Sequence, residues 1–186
     1  MITVHKFGGG ILRAAADYQT AAGLLSENPS GKVAVVSARF GMTDRLSDIL
    51  NQLSEDEEKI DSFTHQIVED HLKLLEPIQN QSVQKKAARK ILDHCSKLNK
   101  ILYGAKLLQE ISPRTRDLVL SFGERISTQV FEAHLLEIGC PARALDADEA
   151  GLITDNKFGN ALPDFNATQS ALRKTVLPVA SSEIAV

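Results

Sequence analysis

The sequence predicts an α/β layer fold on a mainly parallel sheet, with a helical hairpin inserted into it. Three observations predict this. Ile2–Phe7 and Lys32–Ser37 are short β-rich segments, and each leads through small residues into a stretch of helical periodicity. That order, strand–helix–strand–helix, is the signature of an α/β layer with right-handed crossovers. From about residue 59 to residue 110 the pattern changes to two long apolar stripes at helical spacing, with no strand between them.

The elements follow in order. Ile2–Phe7 alternates and ends at Gly8-Gly9-Gly10, and a helix is expected over Leu12–Leu25, stopped by Ser26, Asn28, Pro29 and Gly31. Val33-Ala34-Val35-Val36 is a continuous apolar run, the mark of a strand buried on both faces. A turn over Ala38–Met42 then leads into a helix over Thr43–Leu53. An acidic patch, Glu55–Glu58, precedes a helix from Lys59 to Glu76 that Pro77 terminates. The second arm of the hairpin runs over Ser82–Glu110 with Ile91, Cys95, Leu98, Leu102 and Ala105 on one stripe. Core packing accounts for both stripes, and no chemistry is assigned to them. A helical stretch starts at Ser112-Pro113, where proline suits a first turn, and runs to Glu137 with an interruption at Gly123. Ala142–Leu145 reads as a strand, Ala161–Pro163 as part of a loop, Phe165–Thr175 as a helix and Glu183–Val186 as the start of another strand. A chain that stops on the first residues of a buried strand reads as cut, because its sheet would keep an open edge.

Composition narrows the function. The 186 residues are 43% hydrophobic and 24% charged, enough for one sizeable domain, residues 1–186, with no linker, repeat or low-complexity segment. A net charge of −3 gives no electrostatic reason to expect nucleic acid or an anionic membrane as partner. The basic stretch Lys85, Lys86, Arg89, Lys90, Lys97 and Lys100 reads as the wet face of a helix. Cys95 and Cys140 form no CxxC and no zinc-ligand pattern, so no metal site is expected. Without a signal-peptide pattern or a membrane-length apolar run, the expected compartment is the cytoplasm.

Four segments could carry chemistry. In Lys6-Phe7-Gly8-Gly9-Gly10 consecutive glycines allow backbone N–H groups close to an anion, a following helix end would add partial positive charge, and Lys6 could present its ammonium to the same phosphates. The same triplet serves equally as a tight strand-to-helix turn. In Val35–Asp44 a strand again ends in a turn, where ligands of open α/β sheets collect. Ser37 and Thr43 offer hydroxyls there, although Thr43 or Asp44 could equally cap the next helix. In Ser121–Ser127, Gly123 interrupts a helix, which would open space for a ligand and set Glu124 beside it to meet an ammonium group; the plain alternative is Glu124 paired with Arg125 or Arg116. The fourth, Gly151–Ala161, is an irregular loop that a buried Phe158 could anchor.

Taken in order, these segments resemble the aspartokinases of the amino-acid kinase superfamily. The carriers are Lys6–Gly9, Val35–Ala38 with Gly41 and Thr43, Gly123-Glu124 with Ser127, and Thr154-Asp155 with Phe158-Gly159 and Ala161. The family shows Lys-Phe-Gly-Gly-Thr-Ser, Val-(Val/Leu)-Ser-Ala with a glycine-containing turn and Thr, Gly-Glu-x-x-Ser, and Thr-(Asp/Asn)-x-x-Phe-Gly-x-Ala, with a helical hairpin between the second and third. The resemblance covers essentially the whole chain. It implies a three-layer sandwich and an ATP-dependent aspartate kinase, with ATP and its Mg²⁺ as cosubstrate complex. Lys6, Gly8, Gly9 and Gly10 would follow the ATP phosphates and Ser37 would sit near the transferred group. Thr43 and Glu124 would hold aspartate, with Glu124 on its α-ammonium and Phe158 as a wall. The implied partners are aspartate and ATP, with a homodimer left open.

Two departures stand out: Gly10-Ile11 replaces the Thr-Ser, and Arg39-Phe40 replaces small residues of the second motif. The family's second half has no counterpart here: another glycine-rich segment with its Ser-Asp, the nucleotide-base site, an arginine for the substrate α-carboxylate, and the regulatory domains that usually follow. The resemblance therefore implies the amino-terminal, substrate-side part of such a kinase, inactive or nearly so alone. A non-catalytic amino-acid-binding or subunit-interaction module is the alternative.

Overall fold

The computed structural model describes residues 1–27, 29–53 and 57–186, with Glu57 described by its backbone alone. Asn28, and Glu55 and Asp56 of the acidic patch, lie outside the described residues. Strand β1 (Thr3–Phe7) and strand β2 (Lys32–Val36) pair in parallel from Thr3↔Lys32 to Phe7↔Val36. The two-residue strands β3 (Ala142–Arg143) and β4 (Ile184–Ala185) complete a four-stranded sheet of order β1-β2-β4-β3, every pair parallel.

Alternation along β1 turns Phe7 into the core and leaves Val4 63% exposed. The inward face meets helix α1 (Ala15–Gly23) and helix α6 (Phe122–Glu137). Phe131 of α6 is fully buried, with ring centroids 5.0 Å from Phe7 and 6.4 Å from Tyr18. The Tyr18 hydroxyl and Ser127 Oγ share a buried hydrogen bond of 2.8 Å. Ser127, the last residue of the third motif, thus fastens α6 to α1, and burial pushes the Tyr18 phenol up to about 12.

Outside α1 and α6 lies the expected hairpin, helix α3 (Glu57–Lys73) and helix α4 (Gln81–Leu108). Of the first stripe, which the spacing gives as Ile60, Phe63, Ile67, Leu74 and Ile78, all are buried except the half-buried Phe63; Ile91, Cys95, Leu98, Leu102 and Ala105 of α4 are all buried. Asn80 Oδ1 caps α4 by accepting from Ser82 N and Val83 N. Helix α2 (Met42–Asn51) and helix α5 (Pro113–Leu120) pack together beside this layer. The sheet lies between α1 with α6 on one face and helix α8 (Phe165–Ala180) on the other, with the hairpin outside α1 and α6.

Several expectations need correction. The first helix is shorter than Leu12–Leu25: Gly9–Ile11 forms a 3₁₀ turn and α1 starts only at Ala15, where Asp17 Oδ2 accepts from Arg13 N and Ala14 N. Strand β2 is not buried on both faces, since Val35 is 47% exposed. Two helices, not one interrupted helix, meet at Ser121. A short helix α7 (Ala147–Ala150) had no sequence signal long enough to read. Helix α8 (Phe165–Ala180) runs past Thr175 and through Pro178. Packing of Val176, Val179 and Ala180 with Val33, Leu145 and Ala185 outweighs the hydrogen bond that proline removes.

Candidate functional site

The turns at the carboxyl ends of β1 and β2 and the first turns of α2 and α6 converge on one pocket of about 300 Å³. Gly9, Gly10, Ser37, Thr43 and Glu124 line it, so residues far apart in sequence come together as expected for an open α/β sheet. Asp44, Arg39 and Phe40 line it too; the sequence marked Asp44 only as a possible cap and Arg39-Phe40 only as a departure.

Two close approaches build the pocket, and both need glycine. A Cβ on Gly9 would lie 2.8 Å from the Ala38 carbonyl oxygen, and one on Gly123 would lie 2.7 Å from Ala38 Cβ. None of Gly8, Gly9 and Gly10 has positive φ. The triplet is therefore needed for contact rather than for backbone freedom, and at Gly9 alone; a Cβ at Gly8 or Gly10 would meet nothing within 4 Å. The expectation for Gly123 is likewise corrected: it makes room for Ala38, not for a ligand. That contact brings Glu124 against the second motif, where Glu124 Oε1 accepts from Ala38 N at 3.3 Å. The pairing of Glu124 with Arg125 or Arg116 does not form. Arg125 is taken by Asp146 and Asp148, and Arg116 by Ser47 and Asn51.

Thr43 is free of the capping duty considered for it. The residue capping α2 is Gly41, in the left-handed region at φ 75°, without a side-chain bond. Thr43 is exposed beside the pocket and its hydroxyl has no hydrogen-bond partner among the described residues. Ser37 is half-buried, and its N–H donates to the Phe7 carbonyl, which ties the two strand ends together.

The remaining candidates stand apart. Lys6 is exposed, one residue before the inward-facing Phe7, and does not line the pocket. The helix-end charge expected behind the glycines is not in place, because only the three-residue turn Gly9–Ile11 follows them directly. Phe158 is neither the buried anchor nor a wall of the pocket: it is 42% exposed, with the Arg114 guanidinium 5.6 Å from its ring centroid. Its loop is held by Gly159 N donating to Asp117 Oδ2 at 2.7 Å and by an antiparallel bridge between Thr154 and Pro163.

The two departures meet in space. Arg13 Nε donates to the Gly10 carbonyl at 2.9 Å, Arg39 Nε to the Arg13 carbonyl at 3.0 Å and Phe40 N to the Leu12 carbonyl at 2.9 Å. The Arg13 guanidinium stacks over Phe40 at 4.3 Å. The segment after the glycines is stitched to the second motif by this strap. Behind it, Asp70 of α3 accepts from Arg45 at 2.7 Å and lies 3.7 Å from Arg39. Burial alone would raise the Asp70 carboxyl, but Arg45 above all, with Arg39 and His71, holds it below its ordinary range. Among the described residues no group of His, Cys, Asp and Glu could hold a metal ion, and no helix is long and apolar enough to cross a membrane.

Comparison with known proteins gives this arrangement its setting. Residues 1–185 match the amino acid kinase family. The chain is 32% identical to aspartokinase 2 of Arabidopsis thaliana over 187 aligned residues, which cover 98% of this chain and 33% of that protein. It is 46% identical to aspartokinase 1 of Bacillus subtilis over 61 residues, 33% of this chain and 15% of that protein. The E. coli aspartokinase III structure, a complex with aspartate and ADP, superposes with a TM-score of 0.86 at 22% identity, over 100% of this chain and 40% of that one. This chain thus spans about a third of the Arabidopsis protein's length. A parallel sheet with a three-layer build, a pocket at its strand ends and a family match along nearly every residue lead to one conclusion: the chain belongs to the amino acid kinase family.

Proposed function

We propose that this chain is the substrate-side part of an aspartate kinase, which transfers the γ-phosphoryl group of ATP to the β-carboxylate of aspartate. The product is 4-phospho-aspartate, on the route to lysine, threonine and methionine. One observation carries the reading: a single pocket of about 300 Å³ gathers Gly9, Gly10, Ser37, Thr43 and Glu124 from three separate segments. The similarity to aspartokinases over most of the chain supports it.

The chemistry asks little proton transfer of the protein. A β-carboxylate is already ionised at neutral pH, so the nucleophile needs no general base. The protein's task is to position two anions and offset their repulsion. In this reading Glu124 takes the α-ammonium of aspartate, held in place by the Ala38 N–H that it accepts. The Thr43 hydroxyl orients the same molecule. Gly8 and Gly10, with open space where a Cβ would be, leave room for phosphate oxygens, and Lys6 brings a cation from the end of β1. Mg²⁺ bound to the nucleotide would supply further neutralisation of phosphate charge, and no residue of this chain is assigned to hold it. Because the chain spans a third of the length of its Arabidopsis relative, little turnover is expected from it alone.

Titration calorimetry with L-aspartate tests the reading. The unsubstituted chain is expected to bind, and Glu124→Gln to weaken binding about tenfold or more, since a hydrogen bond to a charged group contributes about 1.5–3 kcal/mol. Glutamine can still accept from Ala38 N, so the local fold is retained. Absence of binding to the unsubstituted chain, or equal binding by the variant, would sink the assignment. The strap of Arg13, Arg39 and Phe40 favours a second reading, an amino-acid-binding module without transfer, because it fixes the segment where family members carry hydroxyls. Aspartate binding without phosphoryl transfer in the full-length protein would select it.

A further inference from the structure

The basic face of α4 borders a cavity. Lys86, Lys90, His94 and Lys97 are spaced four, four and three, so they share one side of the helix. That side looks across a cavity of about 240 Å³ towards Gln129 and Glu132 of α6 and Asp146 at the start of α7. The volume lies just under the range of about 300–1,000 Å³ typical of small-molecule sites, so its occupant is small.

The floor of the cavity is polar, and few of its groups are paired within the protein. His94, Gln129 and Glu132 are buried to 8%, 6% and 6% exposure. Among the described residues neither the His94 ring nor the Gln129 amide has a hydrogen-bond partner; the one ring contact of His94 is edge-on to Phe122. Glu132 receives Lys86 on Oε1 at 3.2 Å, and Oε2 has no partner among the described residues. Asp146 Oδ2 accepts from Arg125, while its Oδ1 is buried and unpartnered. Asp146 Oδ1 is enclosed without a partner, while the polar ends of His94, Gln129 and Glu132 open onto the cavity, where a polar ligand can take the place of water.

The arrangement of charge selects the ligand. Glu132 Oε2 opens onto the floor, where it would accept from an ammonium and, with Asp93 and Glu149 also on the lining, repel a phosphate; Arg143, the remaining cation of the lining, is paired with Glu183. Lys90 and Lys97 stand exposed at the rim, in no ion pair among the described residues. Asp146, Lys97 and Lys90 all act electrostatically on His94, so the opposed charges converge on one spot. A molecule with an ammonium at one end and a carboxylate at the other satisfies both layers. We propose that this cavity binds a small zwitterion of the α-amino acid class, at a site separate from the strand-end pocket. The two sites share α6, Glu124 serving one and Gln129 with Glu132 the other.

Residue-resolved NMR titration of this chain tests the proposal, with glycine, L-serine and L-glutamine as probes and methylamine and acetate as single-charge controls. The zwitterions are expected to shift the signals of His94, Gln129 and Asp146 saturably, and the controls to leave them in place. Lys90→Ala with Lys97→Ala, both exposed and so harmless to folding, is expected to weaken that binding about tenfold. Gln129→Leu removes the amide at similar volume and gives a second, independent loss. The proposal is overturned if none of the zwitterions shifts these signals, if acetate alone shifts them as much, if the shifts fall on Thr43 and Glu124 instead, or if the lysine variant binds as tightly as the unsubstituted chain.

Discussion

The two faces of β1 and β2 are made by the same few residues and differ completely in what covers them. On one face Phe7, Ala34 and Val36 are buried under α1 and α6, with the hairpin as a further layer outside. On the other, Val4 and Val35 line an open groove of about 880 Å³ bordered by α8. Residues of one apolar run therefore have very different energetic weight, decided by the pleat and by the layer each meets. Strand composition alone measures hydrophobicity; stability follows contact.

The largest expected effect breaks the closed face. Phe131 is fully buried and touches both Phe7 and Tyr18. Phe131→Ala is expected to cost about 3–5 kcal/mol, from lost transfer energy plus the cavity left behind. Domains of this size have total stabilities of about 5–15 kcal/mol, so the variant would stand near the edge of unfolding. The midpoint of urea denaturation reads this directly, and a loss under 1 kcal/mol would show that the closed face is not the centre of the core.

The next effect comes from the outer layer of the same side. His71 of α3 is buried, its Nδ1 bonded to the Ile67 carbonyl at 2.7 Å and its Nε2 without a partner. Burial, with Arg39 and Arg45 nearby, lowers its pKa from 6.5 to about 4, against smaller opposing effects of the Ile67 bond and Asp70. The fold therefore holds the neutral ring while the unfolded chain takes a proton below about pH 6.5. This contribution to stability is complete above that pH and is lost as pH falls towards 4, by a total of about 3 kcal/mol. His94 and His134, both lowered by burial, act in the same direction. Thermal unfolding between pH 7 and pH 4 should show the fall, and His71→Leu should flatten part of it. A slope unchanged by the substitution would remove His71 from the account.

The same contrast explains what could be read from sequence. β1, β2 and both hairpin stripes were legible because alternation and helical spacing are local. The openness of Val35 was not, because a continuous apolar run is the same whether or not a layer lies above it. At the site, Ser37, Thr43 and Glu124 were legible as polar residues just after strands or beside a helix break. The role of Gly123 was read in reverse: only the packed structure shows Ala38 filling the space that the glycine leaves. Phe158 lay beyond reach for a similar reason, since Asp117, far away in sequence, sets where its loop is held.

The smallest effect sharpens the comparison. Val35 lies one residue from Val36 and in register with Lys6, yet it points into the open groove. Val35→Thr keeps the branched Cβ that suits a strand and exchanges a methyl for a hydroxyl that water can reach. In this chain it is expected to shift stability by no more than about 0.5 kcal/mol, the range of surface substitutions. Val36→Thr would bury the same hydroxyl on the closed face and is expected to cost more, about 1–3 kcal/mol, because the group would be desolvated among apolar neighbours. The difference between the two urea midpoints isolates the covering layer, since residue type, strand and chemical change are the same. Equal costs would mean that the groove over Val35 is closed in solution, and the two faces would then no longer be distinct.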